Sequence, residues 1–101
     1  RGLTQVLGGM RRLIVDCSDV STADHFWEKY LAVANPRGPG FGRNLDAFND
    51  ALAGGPGYPG PCQLELVNSA HLACIRGGSF LAALRDVAAE RSLRAVTVVF
   101  R

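Results

Sequence analysis

The apolar residues of this chain alternate between two spacings, one suited to strands and one to helices. Arg12 to Asp16 (Arg-Leu-Ile-Val-Asp) is a short β-branched run and predicts a buried strand. Ser18 to Thr22 supplies polar turn residues, and Ser21 followed by Asp24 has the spacing of a capping box. From Thr22 to about Val33, Phe26, Trp27, Tyr30, Leu31 and Val33 fall near helical spacing, so an amphipathic helix is expected. Ala34 to Gly42, rich in glycine and proline, ends it. Asn44 is a good N-cap for a short helix from Leu45 to Ala53. After a second breaker-rich loop, Gly54 to Pro61, the run Gln63 to Val67 reads as another strand. Asn68 to Ile75 suggests a short helix. Gly77-Gly78 interrupts the chain, Ser79 can cap, and Phe80 to Arg91 predicts a longer helix. Ala95 to Phe100 (Ala-Val-Thr-Val-Val-Phe) is the clearest strand.

Strands separated by helices favour a parallel sheet with right-handed crossovers. The expected architecture is therefore α/β, a three-stranded parallel sheet with about four helices on both of its faces. Residues 1–11 are expected to be an irregular N-terminal extension, and 12–101 one domain. The chain opens at Arg1 rather than Met, so the native start is expected to be missing. Gly2 to Gly9 is too short and too rich in glycine for a signal-peptide core.

Composition changes this picture little. At 101 residues, 48% hydrophobic and 20% charged, the chain can support a core without metal or disulfides. The net charge of +2 points neither to a nucleic-acid surface nor to a strong acidic field. No segment approaches the roughly 18 to 20 apolar residues of a membrane span. Cys17, Cys62 and Cys74 are read as reduced, partly buried thiols, which suits a cytoplasmic protein.

Candidate chemistry concentrates on the short helix. Leu45, Phe48 and Leu52 fall on one face, while Asp46 and Asp50 stack one turn apart on the other. Like charges at this spacing cost about 0.2–0.5 kcal/mol in an isolated helix, and no basic residue within the helix offsets them. Asp46 recovers part of that from the helix dipole; Asp50 lies too far along. A solvated face is the ordinary explanation. Against it stand the Gly/Pro loop that presents the helix and the small neighbours Ala47, Asn49 and Ala53, which leave both carboxylates open to an Arg or Lys of a partner.

Catalytic readings are weaker. Paired catalytic carboxylates need their pKa values pushed apart, which two exposed helix aspartates do not provide. His71-x-x-Cys74 has no second short pair to complete a zinc site, so no metal or cofactor is expected. Cys74 with His71 or His25 lacks a nucleophile motif and an oxyanion hole, so the chain is not expected to be an enzyme. The glycines of Gly38 to Gly42 follow a helix and lack the Lys-Ser/Thr ending of a phosphate loop.

The stretch Phe41-Gly-Arg-Asn-Leu-Asp-Ala-Phe-Asn-Asp-Ala-Leu52 resembles the barstar family of ribonuclease inhibitors. The family pattern there is aromatic-Gly-x-Asn-Leu-Asp-Ala, an apolar residue, then x-Asp-x-Leu. The resemblance runs on through Gly54 to the aromatic-Pro pair Tyr58-Pro59 and covers roughly Arg12 to Arg101. It implies a monomeric, cytoplasmic bacterial immunity protein that plugs the active site of a basic, extracellular-type, barnase-like ribonuclease. On that resemblance the partner-binding residues are Phe41, Gly42, Arg43, Asn44, Asp46, Asn49, Asp50, Ala53 and Asp86. Asp50 would sit deepest, in the enzyme's phosphate-binding cluster, with Asp46 beside it. Gly40 and Asn49 stand where the family commonly has aromatics, and Arg43 where it often has an acid. These departures keep a second reading open, a non-catalytic module of the same fold that binds a different protein. Tyr58-Pro59 is also a candidate cis bond.

Overall fold

The computed structural model describes residues 11–36, 40–90 and 96–101. Strand β1 (Arg11–Asp16) leads to helix α1 (Ala23–Ala34) and the short helix α2 (Leu45–Leu52). Strand β2 (Cys62–Val67) follows, then a 3-10 stretch (Ser69–Gly78), helix α3 (Ser79–Glu90) and strand β3 (Val96–Phe100). The strands form one parallel sheet in the order β1-β2-β3. Residues 1–10, Arg91 and Ala95, each assigned a role from the sequence, lie outside the described residues; Arg11 already belongs to β1.

The expected sheet is present, but its described helices do not cover both faces. The register aligns Leu13, Leu64 and Val98 across the three strands, and then Val15, Leu66 and Phe100. Val15, Leu64 and Leu66 belong to the buried core cluster, with Phe26, Trp27 and Tyr30 of α1, Phe48 and Leu52 of α2, and Phe80 and Leu84 of α3, while Leu13, Val98 and Phe100 are partly buried and pack against it. The alternate positions Arg12, Asp16 and Thr97 are exposed, as is Ile14 at 49%. Topology accounts for the correction. Two crossovers of the same hand that step in the same direction along the sheet deliver their helices to the same side.

On the open face the central residue is nevertheless covered. Glu65 is 2% exposed. Its carboxylate accepts from Arg12 Nε and Nη2 at 2.7 and 3.0 Å, from Arg101 Nε at 3.2 Å and from Gln63 Nε2 at 2.8 Å. Hydrogen bonding to Arg12, with Arg101 adding to it, draws the Glu65 carboxyl down to about 2. Asp16, at the far end of β1, falls to about 2 because the Ser18 amide and the Asn68 side chain donate to it. Lys29 ties α1 to this end by donating to the Asp16 carbonyl at 2.8 Å and pairing with Asp19 at 2.5 Å.

Inside, α1 carries an aromatic cluster. Phe26 meets Trp27, Phe48 and Phe80 edge-on at 5.0, 6.5 and 5.5 Å. Fully burying a side chain such as Phe48 contributes about 1.5–3 kcal/mol, so α2, short as it is, is held by its core face rather than by helix propensity. The N-cap of α1 is Thr22, whose hydroxyl accepts from the His25 amide at 3.1 Å; Ser21 was one residue too early. The helix expected over Asn68–Ile75 is a 3-10 stretch instead, entered through left-handed Asn68 and broken by left-handed Arg76 and Gly77. Ser79 opens α3, and its hydroxyl donates to the Arg76 carbonyl at 2.9 Å. No peptide bond among the described residues is cis, Tyr58-Pro59 included. Gly57 and Gly60, at φ +92° and +83°, turn the chain on either side of that pair, so the reversal needs no cis bond.

Candidate functional site

Residues Gly40 to Ala53 place α2 at the end of a loop anchored at three points. The first is Phe41, half-buried, whose ring lies 5.7 Å from Trp27 and 5.5 Å from Tyr30. Gly57 backs this ring so closely that a Cβ there would lie 2.5 Å from Phe41 Cδ1. The Tyr30 hydroxyl donates to the Gly57 carbonyl at 2.8 Å, and burial pushes that phenol well above its usual pKa. Loop, α1 and the turn before β2 are thus one packed unit.

The second anchor is Asn44. Its extended backbone precedes α2, and Oδ1 accepts from the Ala47 amide at 2.7 Å while Nδ2 donates to the Gly42 carbonyl at 3.2 Å. The cap was legible in the sequence; its hold on Gly42 was not.

Arg43 is the third. It adopts a left-handed backbone, φ +55°, and reaches back to α1. Nη2 and Nε donate to Asp24 Oδ1 at 3.0 and 3.3 Å, and Nη2 lies 3.8 Å from Glu28 Oε2. Asp24 was read from the sequence only as a capping-box residue and Glu28 not at all, because no local pattern links α1 to a residue 19 positions along the chain.

With these anchors in place, Phe48, Ala51 and Leu52 of α2 are buried and Asp46 and Asp50 are exposed. Among the described residues neither aspartate takes part in an ion pair. Asp46 lies in the first turn, where the helix dipole favours its charge. The Asp50 carbonyl accepts from the amides of Ala53 and Gly55 at 3.1 and 2.8 Å, closing the helix under its own last turn. Gly42, Asn44 and Ala53 are exposed, and Asn49 is partly covered. The loop and helix candidates therefore lie together on one continuous stretch, although the Phe41 ring faces inward and the Arg43 side chain faces α1. Asp86 is exposed on α3, the helix that packs against α2.

Elsewhere, a groove of about 930 Å³ runs between the end of α1 and the turn before β2, lined by Arg11, Val33, Pro36, Pro56, Tyr58 and Pro59 among others. It contains none of the candidate residues. Arg11 closes one side by donating to the Pro59 carbonyl. Cys17 and Cys62 are buried free thiols whose pKa values rise with burial, Cys17 to about 11. Cys74, expected to be half-buried, is exposed on the 3-10 stretch. Among the described residues no three His, Cys, Asp or Glu side chains converge as metal ligands. None of the described helices is long and apolar enough to cross a membrane.

Compared with known families, residues 10–101 match the one described as Barstar (barnase inhibitor). No curated protein matches the chain.

Proposed function

The chain belongs to the barstar family, and on that premise we propose that it inhibits a microbial guanyl-specific ribonuclease by occlusion, laying Gly42 to Ala53 over the enzyme's active site. The observation that carries this reading is the pair Asp46 and Asp50, exposed, outside any described ion pair, and one turn apart on a helix fixed at both ends. An enzyme that binds RNA phosphates must offer clustered Arg, Lys or His side chains. Carboxylates presented at fixed spacing take the phosphates' place, and their charge-assisted hydrogen bonds are roughly twice as strong as neutral ones. Asp50 enters the phosphate cluster, Asp46 meets a basic residue beside it, and Asp86 adds a peripheral contact. Such an inhibitor acts as a monomer in the cytoplasm of a bacterium that secretes the ribonuclease.

A specific observation favours a second partner class. The inward-facing ring of Phe41 leaves this loop without an exposed aromatic, so the same surface suits a different basic protein.

Titration into guanyl-specific ribonuclease assays separates the two. Inhibition is expected, with Asp50→Ala weakening it about ten- to hundredfold, the equivalent of one charged hydrogen-bonding group. Removing one of two stacked like charges should not unfold α2, so the loss reports on binding. No inhibition of any such enzyme at micromolar protein would leave the different-partner reading standing.

A further inference from the structure

We infer that Arg43, which the family resemblance counts among the partner-binding residues, acts instead as a positioning residue, a strap whose side chain fixes the approach to α2 by pairing with Asp24 and Glu28 rather than by touching the partner. This rests on the inhibitory reading for its consequence in binding, though not for the strap itself. Arg43 stands between the half-buried Phe41 and the cap Asn44, in a left-handed conformation that a non-glycine residue adopts at a cost. Its guanidinium reaches across to α1, where it meets two carboxylates one turn apart, and it forms no described ion pair with Asp46 or Asp50. The direction matters twice. The positive charge is spent on α1, so it does not offset the α2 carboxylates that a basic partner would meet. The segment from Gly40 to Asn44 also gains a link to α1 independent of the Phe41 packing. A surface segment held in its bound conformation binds more tightly because less order is lost on association.

Charge alone makes the opposite prediction. Arg43→Glu makes the protein more negative by two units and, through the long-range field, would favour a basic enzyme. The strap requires it to bind less well. Asp24→Arg carries the opposite change in charge, so the field contributions cancel in the product of the two single-variant Kd ratios, whereas strap losses multiply. Exposed ion pairs support an effect of about two- to fivefold for each variant, so a product of roughly tenfold is expected. The combined Arg43→Glu/Asp24→Arg variant restores the closer pair in reverse while Glu28 stays acidic, so it should recover part of the lost affinity relative to the product of the single variants. Arg43→Gly removes the side chain while accepting the left-handed backbone freely, and should weaken binding in the same direction.

A partner-free measurement accompanies these. Amide hydrogen exchange over residues 41–48 should quicken in both single variants and recover in the reversed pair. A Kd product near one, or exchange indifferent to both single variants, overturns the strap. If exchange follows the reversal while the unmodified protein inhibits no ribonuclease, the strap stands and the inhibitory reading falls.

Discussion

Glu65 sits on a sheet face that no described helix covers, yet water scarcely reaches it. Arg12 and Arg101 both pair with the carboxylate, and long side chains of this kind shield what lies beneath them. The pair links β1, β2 and the residue after β3. The folded carboxyl titrates near 2, below its ordinary value of 4.5, so it binds a proton less readily folded than unfolded. Its contribution to stability is therefore complete above pH 4.5 and is lost as pH falls toward about 2. Urea unfolding across that interval should show a steep decline in the unmodified protein and a shallower one in Glu65→Gln, with the remainder due largely to Asp16, shifted in the same direction. Equal slopes would remove Glu65 from the acid response. The alternation of Gln63 to Val67 places Glu65 on the outward face, but its cover comes from Arg12, 53 residues away, and from Arg101. No local pattern carries that information.

Among the described α-helices, α2 is the shortest, at eight residues, and depends most on its ends. Asn44→Ala should cost about 1 kcal/mol, as loss of a side-chain N-cap does, and should also release Gly42. Thermal unfolding together with the exchange rate of the Ala47 amide checks both. Unchanged stability would mean that the core face alone sets the helix. This element was legible because its signals are local: a capping residue, an apolar face and glycines just beyond. The stretch after β2 was less so. Asn68 to Ile75 has a helix-compatible pattern, but the stretch is wound as a 3-10 helix between left-handed Asn68 and the left-handed turn at Arg76 and Gly77. Thr22 and Ser21 are both good caps in composition, and the extended backbone and reach to His25 decide for Thr22.

For the whole molecule, the governing fact is a sheet with one packed face. Leu64 and Ile14 are apolar residues on neighbouring strands, yet they should respond differently to substitution. Leu64→Ala, fully buried, should cost about 2–5 kcal/mol. Ile14→Thr, half-exposed and still β-branched, should change stability by no more than about 0.5 kcal/mol. Denaturant midpoints on the two variants test this, and a large loss at Ile14 would show that the open face is covered in solution. The parallel pairing followed from alternating elements, while the strand order came from the structure. Which side the helices take depended on the direction of successive crossovers, which periodicity does not encode. For the site, the sequence supplied α2 and its carboxylates, while the supports, Gly57 behind Phe41 and the carboxylates of α1 holding Arg43, emerged from contacts between distant residues.

The single tryptophan gives this arrangement a built-in optical reporter. Trp27 lies within 6 Å of Phe41 in the loop, Phe48 in α2 and Phe80 in α3, at 5.7, 5.5 and 5.6 Å respectively. Its fluorescence therefore samples the three elements whose mutual seating sets the direction of Asp46 and Asp50, without a label on the surface they present.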